Sequence, residues 1–356
     1  MQNAPDLFEQ RRARLLVLLP KDATVLLSKA TDIRYFFGFS EFLEPTEREA
    51  LTGFNAQQAT LFMHALTARP TLRNVSIVTD VSISSVMIQL KKLGTTQQVF
   101  FDAGSLLANE YIALSKWSDI QLTPLDRRAI WQLRMEKDAT EQTYLTKAAE
   151  ITKKSLSQLR SELKAGMSEI AVADRLDSLM KENGSRQPAF PTIVAFGEHS
   201  ALPHHQPSST VLAAEMPVLI DFGATWEGYR ADMTRTFWFG DHPDETFIKI
   251  ETIVLEAYET AVQRLTQVES KLTAADLDLA ARGVIENAGY GARFIHTTGH
   301  GVGLDIHEPP SLNSQNTTPL QPGMAITIEP GIYLPGKFGY RHENTILVLS
   351  KSIILT

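Results

Sequence analysis

Four carboxylates and one imidazole from position 221 onward, Asp221, Asp232, His300, Glu329 and Glu343, each sit in a short apolar run or a Gly-rich turn. A carboxylate in an apolar strand is costly unless something compensates its charge, because desolvation penalises the ionised form. A pair of divalent cations would compensate all of them at once, and the chemistry that such a centre does is metal-assisted hydrolysis. The chain contains no Cys. A metal site must therefore use N and O ligands, and disulfides are excluded.

Three segments carry these residues, and a fourth adds a candidate histidine. The first, Val218–Gly223 and Tyr229–Arg235 around Thr225-Trp226-Glu227-Gly228, reads as a β-hairpin. A turn centred on Trp226 and Glu227 places Asp221 directly opposite Asp232, where a cation between them would reverse their repulsion. Exposed aspartates on a solvated face are the bland alternative, and the apolar neighbours Ile220 and Phe222 argue against it. The second segment, Thr298-Gly299-His300-Gly301-Val302-Gly303, lets the backbone approach a ligand closely, and His300 could present a ring nitrogen to a metal. By itself the Gly-His-Gly could equally be a structural turn. No Gly-Lys-Ser/Thr follows, so a phosphate loop is a weak reading. His307 could stay unmetallated and donate a hydrogen bond to a substrate oxygen.

The third segment is a second hairpin, in which Glu329 ends the strand Met324–Ile328 and Glu343 begins the strand that runs to Leu349. Either glutamate alone would be better read as solvent-exposed; together with the aspartates and His300 the balance changes. The fourth, Ser200–Pro207, is framed by prolines that would hold His204 rigidly. His205 is read as a neighbour with a surface role, and His199, His242, His296 and His342 as structural or solvent-facing. Eight of the nine histidines fall between His199 and His342, which points to the C-terminal half as the seat of the chemistry.

The elements that must position these residues follow from periodicity and punctuation. The 356 residues favour two domains, here 1–125 and 126–356. The first alternates helices (Pro5–Leu19, Ser82–Leu93) with short strands (Ala23–Leu27, Thr60–Met63, Val75–Val78, Gln98–Asp102), the pattern of an α/β layer domain. The boundary is placed at Thr123-Pro124-Leu125-Asp126, with Asp126 as N-cap of the next helix. Helices follow over Ala139–Leu163, Ile170–Met180, Glu245–Gln267 and Thr273–Asn287, with Gly166 to Glu169 as a stop and a new N-cap. Strands between and after them give an α+β second domain.

A net charge of −7 with pI near 5.8 excludes a basic nucleic-acid footprint. The apolar run Leu15–Leu19 is too short to span a bilayer or serve as a signal core, so neither membrane nor nucleic acid is expected as a partner and a cytoplasmic location follows.

Taken together the segments resemble the metallopeptidases with the pita-bread fold, the group that holds methionine aminopeptidase, Xaa-Pro aminopeptidase and Xaa-Pro dipeptidase, with the Xaa-Pro branch most similar. The order Asp, Asp, His, Glu, Glu is complete, and the words Asp232-Met233-Thr234-Arg235, His307-Glu308-Pro309-Pro310, Ile328-Glu329-Pro330-Gly331 and Arg341-His342-Glu343-Asn344-Thr345 match. The resemblance is strong over Leu133–Leu349. It is weaker over Asp32–Phe39, which is similar to the creatinase-type N-terminal domain. His342, Glu198-His199 and an acidic insertion over Glu41–Phe54 depart from the pattern without removing a ligand.

The resemblance implies two divalent metal ions, Mn first with Co, Zn or Fe as alternatives. Asp221 would hold one, His300 and Glu329 the other, and Asp232 and Glu343 would bridge. His204 and His307 would bind substrate and stabilise the tetrahedral oxyanion, and Glu329 counts with them as a catalytic candidate as well as a ligand. The implied activity is hydrolysis of the Xaa-Pro bond in short proline-containing peptides. A dipeptidase is slightly preferred on length, and a homodimer is expected. The alternatives are a metal-free creatinase-like amidinohydrolase, disfavoured by the complete ligand set, and a non-catalytic binding protein on the same fold.

Overall fold

The computed structural model describes residues 6–39, 49–67, 70–92, 97–266 and 272–356, which form two units, Met1–Arg134 and Met135–Thr356. Pro5, Gln267 and the Glu41–Arg48 part of the expected acidic insertion lie outside the described residues.

The first unit has helices α1 (Leu7–Val17), α2 (Ala30–Phe37), α3 (Ile83–Lys92), α4 (Ala108–Ser115) and α5 (Arg127–Met135). Its strands are β1 (Thr24–Leu27), β2 (Ala50–Phe54), β3 (Ala59–Met63), β4 (Ser76–Val78), β5 (Gln97–Phe101) and β6 (Ile120–Pro124). They form one mixed sheet in the order β4-β3-β2-β1-β5-β6. The α/β alternation is present, with two strands beyond those expected from the sequence. One is β2, at the end of the expected insertion. The other is β6, which ends on the proline that suggests a boundary. Pro124 is the last residue of an edge strand, a position where proline costs no ladder hydrogen bond. The division into units falls after Arg134 rather than at 125/126, because α5 is bound to α2. Arg127 and Arg134 donate to the fully buried Asp32 at 2.9 and 2.7 Å, and Tyr35 donates its hydroxyl to the Leu133 carbonyl.

The second unit holds α6 (Ala139–Glu162), α7 (Glu169–Glu182), α8 (Glu245–Thr266) and α9 (Ala274–Asn287). A capping box starts α6: Asp138 Oδ1 accepts from the Thr140 and Glu141 N–H groups, and Glu141 Oε2 accepts from the Asp138 N–H. Ser168 caps α7, as its position after Gly166 suggests. Strands β7 (Ile193–Phe196), β8 (Met216–Phe222) and β11 (Met233–Phe239) make an antiparallel sheet, and β9 (Thr225–Trp226) and β10 (Tyr229–Arg230) form the tip of the β8–β11 hairpin. A second sheet runs β13 (Glu308–Leu312), β12 (Gly299–Gly301), β14 (Ala325–Ile328), β17 (Asn344–Leu347), β18 (Ile353–Ile354). Strands β15 (Gly331–Leu334) and β16 (Phe338–Arg341) extend the β14–β17 hairpin beyond a break. Apolar faces of α6 and α7 pack on β7, β8 and β11, and those of α8 and α9 on β14 to β17. The unit is α+β, as expected.

Candidate metal centre

The first hairpin delivers its two aspartates with a register that differs from the expected one. Glu227 and Gly228 take positive φ (47° and 76°), so the turn centres on them and Trp226 pairs with Tyr229. Both residues at positive φ suit the tight turn that matches the twist of the strands. Asp221 consequently lies opposite Thr234, and Asp232 is its diagonal neighbour two residues earlier. The Glu-Gly pair is the local signal for this turn position.

The second hairpin places its glutamates as expected. Ile328 pairs with Asn344 and Gly331 with Arg341, so Glu329 and Glu343 occupy the break between two ladders in one continuous register. His300 sits in the middle of β12, beside β14. An added Cβ at Gly299 would come within 2.1 Å of the Thr327 carbonyl oxygen, and one at Gly301 within 2.2 Å of that of Pro309, so the Gly-His-Gly is required by close backbone approach.

All five side chains line one cavity of about 700 Å³, together with His204, His307, His296, Arg341 and an apolar wall that includes Phe190, Ile193 and Pro309. Asp232 and Glu343 are buried, Asp221, His300 and Glu329 half-buried, and His204 and His307 exposed. Asp232, His300 and Glu343 bring ligand atoms within 4.8 Å of one another. His300 Nε2 is 3.3 Å from Glu329 Oε1 and 3.6 Å from Asp232 Oδ2.

The electrostatics show a cluster built for cations. Burial first, then Glu343, Asp221 and Glu329, push the Asp232 carboxyl well above the usual range. Burial, then Glu329 and Asp221, do the same to Glu343. Burial raises Glu329 as well. Burial lowers His300, so its ring is neutral. Its Nδ1 lies 3.0 Å from the Gly301 carbonyl oxygen and must carry the proton there. The Nε2 lone pair then faces two carboxylate oxygens with no hydrogen of its own to offer them. Asp221 Oδ1 is buried and accepts no hydrogen bond. Oxygen donors of this kind with one imidazole fit a hard or borderline divalent cation, which would compensate the cluster.

Supporting contacts orient these side chains. Arg341 donates from Nη2 to Asp221 Oδ2 at 2.6 Å, from Nε to Thr234 Oγ1 at 3.0 Å and from Nη1 to the Tyr333 hydroxyl at 2.7 Å. Thr234 in turn donates to Glu343 Oε2 at 2.6 Å, and Thr327 donates to Glu329 Oε1 at 3.2 Å while accepting the His300 N–H. Beside His307, Glu308 accepts from Lys137 Nζ at 3.0 Å and from the Asp305 N–H at 3.1 Å, with both side chains of the ion pair buried.

Three residues without a task in the sequence reading have defined places here. His296 lines the cavity, with Nε2 2.9 Å from the Tyr333 hydroxyl; its position four residues before His300 is the available signal. Arg341, the first residue of the Arg-His-Glu word, stands behind Asp221. His205 is not a surface residue: its ring is largely buried, with Nε2 2.9 Å from Glu169. His342 is structural as expected, its ring edge-on to Tyr258 with centroids 4.7 Å apart.

Residues 143–350 match metallopeptidase family M24. The Xaa-Pro dipeptidase of Pyrococcus furiosus is 43% identical over 219 residues, a match that spans 62% of this chain and 62% of that protein's length. Among solved structures, an Xaa-Pro dipeptidase from Bacillus anthracis is similar with a TM-score of 0.90 at 32% identity, covering 98% of this chain and 97% of that one. An X-Pro aminopeptidase from Thermotoga maritima is similar with a TM-score of 0.85 at 30% identity, covering 96% and 97%. With the pita-bread architecture shared and the match running through all five candidate ligand positions, this chain belongs to metallopeptidase family M24.

Proposed function

We propose that the protein hydrolyses the peptide bond before proline in short Xaa-Pro peptides, with two divalent metal ions held by Asp221, Asp232, His300, Glu329 and Glu343. The observation that carries this reading is the convergence of the five side chains on one cavity whose rim bears His204 and His307. The names of the relatives, Xaa-Pro dipeptidase and X-Pro aminopeptidase, supply the substrate class.

In this reading His300 and Glu329 would hold one ion and Asp221 the other, with Asp232 and Glu343 shared between them. Bound there, the ions, Mn by preference, would supply Lewis-acid polarisation of the scissile carbonyl and a bound water of lowered pKa. His204 and His307 bind the substrate and place N–H groups where the carbonyl oxygen gains charge. Burial lowers the His307 pKa, which favours a neutral ring that donates one N–H. Glu329 accepts the Thr327 hydroxyl, which leaves its remaining lone pairs toward the cavity. The apolar wall of Phe190, Ile193 and Pro309 receives the pyrrolidine ring and excludes water from the reacting bond.

The test is an assay of Ala-Pro and Ala-Pro-Ala after reconstitution with Mn or Co, against Asp232→Ala. Release of alanine from either peptide by the wild type and its loss in the variant is the expected result. No release from either peptide defeats the proposal. Preference for Ala-Pro places the protein on the dipeptidase side, and turnover of the tripeptide on the aminopeptidase side.

A further inference from the structure

Glu169 is fully buried and lies outside the carboxylate cluster. The Ser168 cap makes it the first residue of α7. Its carboxylate collects five donors. Oε1 accepts the Phe196 N–H at 2.8 Å and lies 2.9 Å from His199 Nδ1. Oε2 accepts the Ser208 N–H at 2.9 Å and hydroxyl at 2.6 Å, and lies 2.9 Å from His205 Nε2. The two imidazoles stack on each other with centroids 4.4 Å apart. Burial pushes the carboxyl up, but the bonds from Ser208, His205, Phe196 and His199 outweigh it and bring its pKa down to about 2.

These donors come from the two ends and the middle of a single stretch of chain, 196–208. That stretch carries Pro203, His204 and Gln206, which line the cavity. Neighbours in the chain, His205 and His204 face different ways: the first to Glu169, the second to the cavity. The stretch has little regular structure of its own beyond one short 3-10 turn at Gly197–Ala201, so side-chain anchors must decide its path. Fixing four points of it to one buried anion removes the conformations in which His204 leaves the wall.

We infer that Glu169 is a positioning residue for His204, a buried carboxylate that ties the 196–208 stretch down at Phe196, His199, His205 and Ser208. This rests on the reading of His204 as a substrate-binding group. Glu169, His199 and His205 also bring ligand atoms within 4.8 Å of one another. The three further donors from Phe196 and Ser208 already occupy the carboxylate, so its hydrogen-bonding capacity is met without an ion.

The test is a double-mutant cycle on the metal-reconstituted enzyme. Glu169→Gln keeps the shape and removes the anion. It is expected to lower kcat/KM for the Xaa-Pro peptide roughly tenfold to a hundredfold, the cost usual for losing a residue that orients a reacting group. In a His204→Ala background the same change costs less than about twofold, because both substitutions act through one side chain. His205→Gln, which keeps a donor at the Nε2 position, retains most of the activity that His205→Leu loses. A readout without turnover is the ring NMR signal of His204 in the zinc-loaded, 15N-histidine-labelled protein, assigned by its loss in His204→Ala. It shifts or broadens in Glu169→Gln. Full additivity in the cycle, or an unmoved His204 signal, overturns the inference. So does an extra equivalent of bound metal that disappears with His199→Ala and His205→Ala. Should the wild type cleave no Xaa-Pro peptide, the functional reading falls and the His204 signal still decides the role of Glu169.

Discussion

Arg341 Nη2 lies 2.6 Å from Asp221 Oδ2, which sets a fully committed guanidinium directly behind the carboxylate cluster. Its side chain is 3% exposed, and Nε and Nη1 are taken by Thr234 and Tyr333. One guanidinium faces four carboxylates, so it offsets part of their repulsion and leaves room for cations. It also holds Asp221 by one oxygen and leaves Oδ1 buried and open. Arg341→Met removes that cation and is expected to destabilise the metal-free protein by about 3–5 kcal/mol, as for other broken buried pairs. Urea unfolding with and without Mn measures it. Arg341→Lys returns the charge without the planar fork and should recover only part of the loss. Equal stability of the wild type and Arg341→Met would show that the guanidinium is not needed to compensate the cluster.

Metal removal should change how stability depends on pH. The Asp232, Glu343 and Glu329 carboxyls have raised pKa values, for burial first in all three and, in Asp232 and Glu343, neighbouring carboxylates second. Folded metal-free protein therefore holds protons that the unfolded chain has released. By linkage its stability falls as pH rises from the unfolded carboxyl value, about 4, through the raised folded values. Divalent metal takes the place of those protons. The Tm of metal-free protein should fall from about pH 5 to pH 8 while that of loaded protein holds, so the gain on adding metal grows with pH. A metal-induced Tm gain that shrinks over this range would contradict it.

Glu169 works in the opposite sense. Its folded pKa of about 2 lies below the usual carboxyl value. Its contribution is fully present above the unfolded pKa of about 4.3 and is lost as pH falls toward 2, on the order of 3 kcal/mol in all. Glu169→Gln should therefore flatten the acid limb of the stability curve. Acid titration of the two proteins by circular dichroism compares them, and superimposable acid limbs would refute the assignment.

The glycines beside His300 are demanded by space. Gly301→Ala puts a Cβ 2.2 Å from the Pro309 carbonyl oxygen and 2.8 Å from that of Glu308. The β12–β13 pairing must shift, at a cost of about 1–3 kcal/mol, and His300 moves with it, so metal affinity falls as well. Gly283 in α9 has open space where a methyl group would stand, and Gly283→Ala should stabilise by about 0.5–1 kcal/mol through helix propensity. Denaturant midpoints of the two variants should move in opposite directions, and only Gly301→Ala should weaken metal binding in a titration; matching behaviour would sink the packing argument.

Much of the site is legible in the sequence because its members are chemically conspicuous where they stand. A carboxylate between Ile220 and Phe222, a histidine between two glycines and glutamates at the ends of apolar strands are local anomalies, and each is where the structure has a cavity-lining group. The helices α6 to α9 are legible for a similar reason, since apolar spacing and local punctuation such as the Gly166 stop and the Ser168 cap act over three or four residues. The expected register of Asp221 is wrong by two residues because it centres the turn on Trp226-Glu227, while the backbone takes positive φ at Glu227 and Gly228.

What the sequence determined by itself was therefore the kind of candidate ligand, the kind of element that bears it, and the family. Tertiary structure alone decided the partners of Arg341, Lys137, His205 and Glu169, which come from segments up to 171 positions away. A buried charge acquires its role from whatever donor or acceptor the fold brings within about 3 Å, and spacing along a chain carries no record of that distance.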